Sequence, residues 1–188
     1  QGFKIDTTYA DYLYRKGTLL NSIEKNYSAS LENILDAEKI WKKSKIKNNR
    51  KLMFIYYWLG NSQLDLEKYN NSIQSYKLSI NYNIKNDTIN QDILLWSNFY
   101  IGNNYYVIDK EDCKNPEKYN KKVLLLNDKY NLSLYYPVWQ SAYRLGLCAK
   151  KDKEQGFYLF KEAQAYHNLE PDSLDAFIRD ISLSCYSY

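Results

Sequence analysis

The stretch YYWLGNSQLDLEKYNNSIQSYKLSI, Tyr56–Ile80, contains one complete helical hairpin and decides the fold. Its first half places Tyr56, Leu59 and Gln63 on one helical face, with Gly60 beside them. Its second half carries a single apolar stripe at helical spacing, formed by Tyr69, Ile73, Tyr76 and Ile80. A short polar link joins the two halves, so the stretch predicts two antiparallel helices that approach closely at Gly60.

The same unit recurs along the chain. Glycines follow one another at intervals of 43, 42 and 44 residues, and an aromatic residue precedes each glycine by three positions. The glycines are Gly17, Gly60, Gly102 and Gly146, and the aromatic residues are Tyr14, Tyr57, Phe99 and Tyr143. A fixed period of this length is typical of a helical repeat protein, in which each hairpin buries its apolar face against the next.

The spacing within the unit resembles the tetratricopeptide repeat. That family places a Leu-Gly pair, a Tyr, an Ala, an aromatic residue and a second Ala at the offsets occupied here by Gly60, Tyr69, Ser72, Tyr76 and Ser79. Ser thus replaces Ala at both offsets. The period near 43 residues is longer than the family's usual length of about 34, and it resembles extended variants with longer helices.

The repeats and the resemblance together predict an all-α chain. We expect a right-handed α-solenoid of four helical hairpins, followed by a C-terminal helix that caps the exposed end. Residues 1–188 would form one domain. The predicted repeats are 7–45, 50–84, 88–129 and 133–168, and the predicted cap is 172–188. Asp87 or Thr88 is the expected cap of the fifth helix.

Composition agrees with a helical globular protein. Hydrophobic residues make up 45% of the 188 residues, with only 6 Gly and 3 Pro. No apolar run approaches the roughly 20 residues that a membrane span needs. The chain starts at Gln1 and its single methionine is Met53. We therefore expect either removal of a signal peptide or excision from a longer protein, and we favour an exported, extracytoplasmic protein.

Residues that support catalysis or metal binding are scarce. The single histidine, His167, stands near a predicted helix end, and the acidic pair Glu111 and Asp112 stands in a predicted loop. No phosphate-binding loop and no hydrolase or metalloprotease motif occurs. The sequence predicts no enzyme, no metal site and no cofactor. The three cysteines, Cys113, Cys148 and Cys185, are widely spaced, which favours unpaired thiols although one bridge stays open.

A basic run begins in the C-terminal part of the second predicted helix, which extends from near Tyr27 to Lys45. It comprises Lys39, Lys42, Lys43, Lys45, Lys47, Arg50 and Lys51. Such a run could contact nucleic acid or anionic lipid. A helix C-terminus also stabilises lysine through its dipole, and the net charge is only +4. We therefore interpret the run as a solvated helix end and predict no specific nucleic-acid partner.

The resemblance implies a concave groove that holds an extended peptide or a partner helix. By that resemblance, the residues three before and one after each glycine face the groove; they are Tyr14, Tyr57, Phe99 and Tyr143, and Thr18, Asn61, Asn103 and Leu147. Arg15 and Arg144 each follow one of these tyrosines. The candidate ligand-binding residues are Tyr14, Arg15, Tyr57, Asn61, Phe99, Asn103, Tyr143 and Arg144. Tyrosine offers a large contact area with few rotamers, and asparagine can hydrogen-bond a peptide backbone. The alternative is that the aromatics only pack between neighbouring helices.

These residues predict a non-enzymatic scaffold that binds a protein or peptide. A second hypothesis is a sensor or regulatory segment of a longer bacterial signalling protein, whose effector or membrane module lies outside this chain. A third hypothesis is an accessory domain of an enzyme. The fold does not decide among these hypotheses, because helical repeats serve many functions.

Overall fold

The computed structural model describes residues 7–46, 48–86, 88–132 and 134–149, together with Gln155, Tyr158 and Lys161. Every regular element bounded within this part of the chain is an α-helix. The seven helices are α1 (Thr7–Ser22), α2 (Tyr27–Lys43), α3 (Asn49–Asp65), α4 (Tyr69–Asn83), α5 (Gln91–Ile108), α6 (Lys114–Tyr130) and α7 (Tyr135–Cys148). The all-α prediction is confirmed for these residues. The predicted cap, 172–188, lies outside them, as does most of the second half of the fourth repeat.

The chain divides into two compact units, Gln1–Asn104 and Tyr105–Tyr188. In the first unit, α1 packs against α2, α2 against α3, and α3 against α4. In the second unit, α6 packs against α7. Helices that follow one another in the sequence therefore pack against one another, as a helical repeat requires. The predicted repeats 7–45 and 50–84 correspond to the pairs α1/α2 and α3/α4.

One apolar core joins the first three helices. The buried residues of this core are Ala10, Leu13, Ile34, Ala37, Trp41, Leu52, Ile55, Tyr56 and Leu59. They come from α1, α2 and α3 at helical spacing, so the amphipathic pattern of the sequence is satisfied by burial between neighbouring helices.

The repeated glycines mark points of close helix contact. A Cβ atom built on Gly60 would lie 2.7 Å from Cε1 of Tyr76, whose side chain is fully buried. A Cβ atom on Gly17 would collide with the side chain of Ile34 in the same way. In both the α1/α2 and the α3/α4 hairpin, the glycine of the first helix accommodates a large side chain of the second, which explains why these two hairpins share the glycine.

The serines that replace alanine connect the helices by hydrogen bonds. The hydroxyl of Ser72 donates to the Gly60 carbonyl at 2.8 Å and accepts from Nδ2 of Asn104 at 2.9 Å. The hydroxyl of Ser79 donates to the Met53 carbonyl at 2.9 Å. Both serines are fully buried. They keep the small volume that close packing needs and add polar contacts that alanine cannot make.

The start of α5 differs from the prediction. The helix begins at Gln91, and the side-chain oxygen of Asn90 accepts the backbone N–H of Ile93 at 2.9 Å. The prediction of Thr88 as the cap is therefore wrong, and Asp87 lies outside the described residues. Asn90 is fixed in turn by Asn83, which accepts its N–H and donates to its carbonyl at 2.8 and 2.7 Å.

The second unit contains a disulfide between Cys113 and Cys148, whose Cα atoms lie 5.5 Å apart. It joins the residue before α6 to the last residue of α7. The sequence favours unpaired thiols, and that interpretation is wrong for these two cysteines. Cys185 lies outside the described residues. Within the described part of the chain, no helix combines the length and apolar character needed to cross a bilayer.

Candidate ligand-binding surface

The eight predicted binding residues fall into both units. Six belong to the first unit: Tyr14, Arg15, Tyr57, Asn61, Phe99 and Asn103. Two belong to the second unit: Tyr143 and Arg144. The two groups are therefore described separately.

A hydrogen-bonded group of tyrosines links α3, α4 and α5 in the first unit. The Tyr57 hydroxyl hydrogen-bonds with the side chains of Asn61 and Tyr100, and burial raises the pKa of Tyr57 well above its ordinary value. The Tyr76 hydroxyl donates to Oδ1 of Asn61 at 2.6 Å. Rings of Tyr76 and Tyr100 stack with centroids 5.3 Å apart. Tyr57 and Asn61 are thus brought together, but the carbonyl oxygen of Asn61 is already engaged within the protein.

Phe99 occupies the core. Only 1% of its surface is exposed, so the residue three before Gly102 offers no area to a ligand in this structure. The next residue, Tyr100, is partly exposed and makes the contact with Tyr57. The face of α5 that meets Tyr57 is therefore displaced by one position from the face that the glycine spacing predicts.

Three partly exposed residues share this face of α5: Trp96, Tyr100 and Asn103. Their spacing of four and then three residues forms one helical stripe. Rings of Trp96 and Tyr100 stack with centroids 5.5 Å apart. We call Tyr57, Trp96, Tyr100 and Asn103 the aromatic patch. Sequence reasoning missed Trp96 and Tyr100, although an aromatic pair four residues apart in a predicted helix was a readable signal.

Asn103 contributes the polar end of the aromatic patch. Its side-chain oxygen is buried and accepts no hydrogen bond within the described residues. A buried acceptor without a partner costs about 1–3 kcal/mol. The structure therefore places an unused hydrogen-bond acceptor on the same helical stripe as two partly exposed aromatic rings.

The other candidates of the first unit lie on α1. Tyr14 is half-buried and accepts the indole N–H of Trp58, and burial raises the pKa of Tyr14 to about 12. Arg15 is exposed. Tyr14 is thus fixed against α3, whereas Arg15 points its charge to solvent.

In the second unit, Tyr143 and Arg144 differ in environment. Tyr143 is 43% exposed. The Arg144 guanidinium lies over the Tyr106 ring, 5.5 Å from its centroid, and burial lowers the pKa of Arg144. Arg144 is therefore held against an aromatic side chain, and Tyr143 presents free ring surface.

The basic run is divided among several environments. Lys39, Lys42 and Lys51 form ion pairs with Asp36, Glu38 and Asp11, respectively. Lys43, Lys45 and Arg50 are exposed, and Lys47 lies outside the described residues. Half of the described cations in the run are thus neutralised locally by neighbouring carboxylates.

The described residues include no cluster of three or more His, Cys, Asp or Glu side chains that could hold a metal ion. Comparison of the chain with protein families, with curated proteins and with solved structures finds no match. The candidate function therefore depends on the geometry of the aromatic patch.

Proposed function

We propose that this protein is a non-enzymatic scaffold that binds an extended peptide or a protein segment, and that the aromatic patch is part of the binding surface. The observation that carries the proposal is the helical stripe of partly exposed Trp96, Tyr100 and Asn103, whose two rings stack with centroids 5.5 Å apart. Side chains of a peptide pack on aromatic rings, and an asparagine side chain can hydrogen-bond a peptide backbone. The rings are already stacked, so little conformational freedom is lost on binding.

The finer architecture belongs to the same proposal. Consecutive packing of α1 to α4, and of α6 with α7, supports a helical repeat. We propose that this repeat is a right-handed α-solenoid because its sequence resembles the tetratricopeptide family. In such a solenoid the first helix of each hairpin lines the concave face, which is the role proposed here for α3 and α5.

The disulfide supports an extracytoplasmic location. Disulfides persist in oxidising compartments and are rare in the reducing cytosol of most organisms. The Cys113–Cys148 pair agrees with export across a membrane. Mass spectrometry of the protein isolated from its native cells tests this point, since a fully reduced chain would contradict it.

A random peptide library displayed on phage tests the binding proposal. We expect selected peptides to lose at least about tenfold in affinity when Asn103→Ala or Trp96→Ala is introduced, which is the loss that about 1.4 kcal/mol produces. Tyr12→Ala is the matched control, because Tyr12 is 57% exposed on α1 and lies outside the patch. Phe99→Ala is unsuitable, because truncating a buried ring would destabilise the core by about 3–5 kcal/mol.

Asn103→Ala separates binding from folding. Its side-chain oxygen has no hydrogen-bond partner among the described residues, so removal should leave the free energy of unfolding unchanged or slightly higher. Lost peptide binding in an equally stable variant would support the proposal. If no peptide is enriched, or if Asn103→Ala and Trp96→Ala bind like the parent, the aromatic patch is packing and the proposal is wrong.

A further inference from the structure

A cleft of about 600 Å³ opens between the start of α3 and the segment that joins α4 to α5. Both sides of the cleft belong to the first unit. Its lining residues are Asn48, Asn49, Arg50, Met53, Lys85, Asn86, Thr88, Ile89 and Asn90. The volume lies within the range of about 300–1,000 Å³ that is usual for small-molecule sites.

Hydrogen bonds hold the two sides of this cleft together. Nδ2 of Asn49 donates to the Lys85 carbonyl at 3.0 Å, and Nδ2 of Asn86 contacts Sδ of Met53 at 3.8 Å. The reciprocal pair of Asn83 and Asn90 closes the base of the joining segment. The cleft is thus a shaped feature of the fold, built from side chains that lock a loop onto a helix.

The charged residues among the described lining of the cleft are both basic. Arg50 and Lys85 are exposed and line it, and neither forms an ion pair with another described residue. The Lys85 ammonium lies 5.8 Å from the Tyr82 ring centroid. No carboxylate occurs among the described lining residues, and Asp87 lies outside the described residues. Two cations that line one cleft favour an oxyanion.

The remaining lining is rich in amides. Four asparagines line the cleft, and each uses one side-chain atom in a hydrogen bond within the fold: Oδ1 of Asn48 and Asn90, and Nδ2 of Asn49 and Asn86. The other polar atom of each side chain remains for a ligand, and Thr88 adds a hydroxyl. Of the described lining residues, Met53 and Ile89 alone are apolar. Amides of this density match a ligand that carries several hydroxyl groups better than they match a hydrocarbon.

We infer that this cleft binds a small polyhydroxylated oxyanion, of the chemical class of a sugar phosphate, with Arg50 and Lys85 on the anionic group and the asparagines on the hydroxyls. The site is distinct from the aromatic patch and does not depend on the proposed peptide binding. Arg50 can form two parallel hydrogen bonds to one phosphate group, which Lys85 cannot.

Chemical shifts of the ¹⁵N-labelled full chain test the inference. The probes are ribose 5-phosphate, ribose and inorganic phosphate. We expect saturable shifts for ribose 5-phosphate, centred on Asn48–Arg50 and on 85–90, with Kd below about 1 mM. Neutral ribose should bind at least about tenfold more weakly, because it lacks the charge-assisted hydrogen bonds. Inorganic phosphate should also bind more weakly, because it leaves the amides unused.

Variants that remove one positive charge test whether Arg50 and Lys85 bind the phosphate group. Arg50→Gln and Lys85→Gln should each weaken ribose 5-phosphate binding by about tenfold. Lys16→Gln removes the same charge from an exposed position on α1, away from the cleft, and should change Kd by less than about twofold. Both cleft cations are exposed, so these variants should keep the spectrum of the folded parent.

Three results would overturn the inference. The first is the absence of saturable shifts with ribose 5-phosphate, and the second is equal weakening by Lys16→Gln. The third is equal affinity for inorganic phosphate and ribose 5-phosphate, which would remove the role assigned to the asparagines.

Discussion

Gly60 is the residue at which the repeat pattern has a direct steric cause. Alanine in a helix interior is normally more stable than glycine by about 1 kcal/mol. Here the added methyl would lie 2.7 Å from the buried ring of Tyr76, and overpacking costs about 1–3 kcal/mol. The overpacking cost outweighs the gain in helix propensity, so we expect Gly60→Ala to lower the free energy of unfolding by up to about 2 kcal/mol, as measured by urea denaturation.

Asn71→Ala is the control for this prediction. Asn71 is exposed on α4, so this substitution gains helix propensity without a steric penalty and should be neutral or stabilising. If Gly60→Ala were also stabilising, the glycine would not be required by the contact with Tyr76.

Tyr14 gives the fold a dependence on alkaline pH. The pKa of Tyr14 is raised from 10.0 to about 12 by burial. Between these values the unfolded chain releases the proton while the folded chain retains it, so stability falls as pH rises. The contribution is fully present below pH 10. We expect the loss of stability between about pH 9 and pH 11 to be smaller in Tyr14→Phe than in the parent.

Urea unfolding at the two pH values measures this difference. Tyr56, whose pKa is also raised to about 12, still titrates in Tyr14→Phe, so a part of the decline should remain. An identical decline in parent and variant would show that Tyr14 ionises alike in both states.

At the scale of helices, Ser72 shows how the α3/α4 hairpin is connected to α5. Its hydroxyl donates a hydrogen bond to the Gly60 carbonyl and accepts one from the Asn104 amide, and Ser72 is fully buried. We expect Ser72→Ala to destabilise the fold by about 1–3 kcal/mol, because the Asn104 amide loses its partner in the core. The tetratricopeptide pattern has alanine at this offset, so a change toward that pattern should weaken this protein.

Chemical denaturation of Ser72→Ala and of the double variant Ser72→Ala/Asn104→Leu tests the explanation. Leucine has a similar volume and no amide, so the double variant should recover part of the lost stability. A single variant as stable as the parent would show that the Ser72 hydrogen bonds contribute nothing net.

The disulfide stabilises the helix pair α6/α7. It closes a segment with a sequence separation of 35 residues, and restricting the unfolded chain in this way is worth about 2–4 kcal/mol. We expect Cys113→Ser/Cys148→Ser to lower the midpoint of unfolding and to remove the response to a reducing agent. Cys185→Ser is the control and should leave both unchanged. Equal stability of the oxidised and reduced parent would contradict this role.

The sequence predicts the elements better than it predicts their faces. Gly17 and Gly60 locate the hairpins α1/α2 and α3/α4, because each glycine marks a steric contact. In α5 the same logic selects Phe99, yet the partly exposed residue is Tyr100. The buried residues of α5 lie on most sides of the helix. Its sequence therefore has no continuous polar face that would indicate which side of the helix is exposed.

The disulfide and the oxyanion cleft show a second reason why the sequence does not predict the whole structure. Cys113 and Cys148 are distant in sequence, and only the packing of α6 against α7 brings them together. The cleft depends on the contact between Asn49 and the carbonyl of Lys85, 36 residues apart. Long-range contacts of this kind leave no local pattern, so spacing and periodicity could not reveal them.

At the scale of the whole molecule, the two proposed sites should respond differently to salt. The aromatic patch is formed by neutral rings and an amide, and the net charge of the chain is only +4. Peptide affinity at the patch should therefore change by less than about threefold between about 50 and 500 mM NaCl. Binding of ribose 5-phosphate relies on Arg50 and Lys85, which are exposed, so it should weaken by about tenfold or more over the same range. Titrations of both probes on one sample measure the contrast, and sodium sulfate at matched ionic strength reveals competition by an oxyanion at the cleft alone. If both affinities fell together, one electrostatic surface would bind both ligands, and the assignment of two separate sites would be wrong.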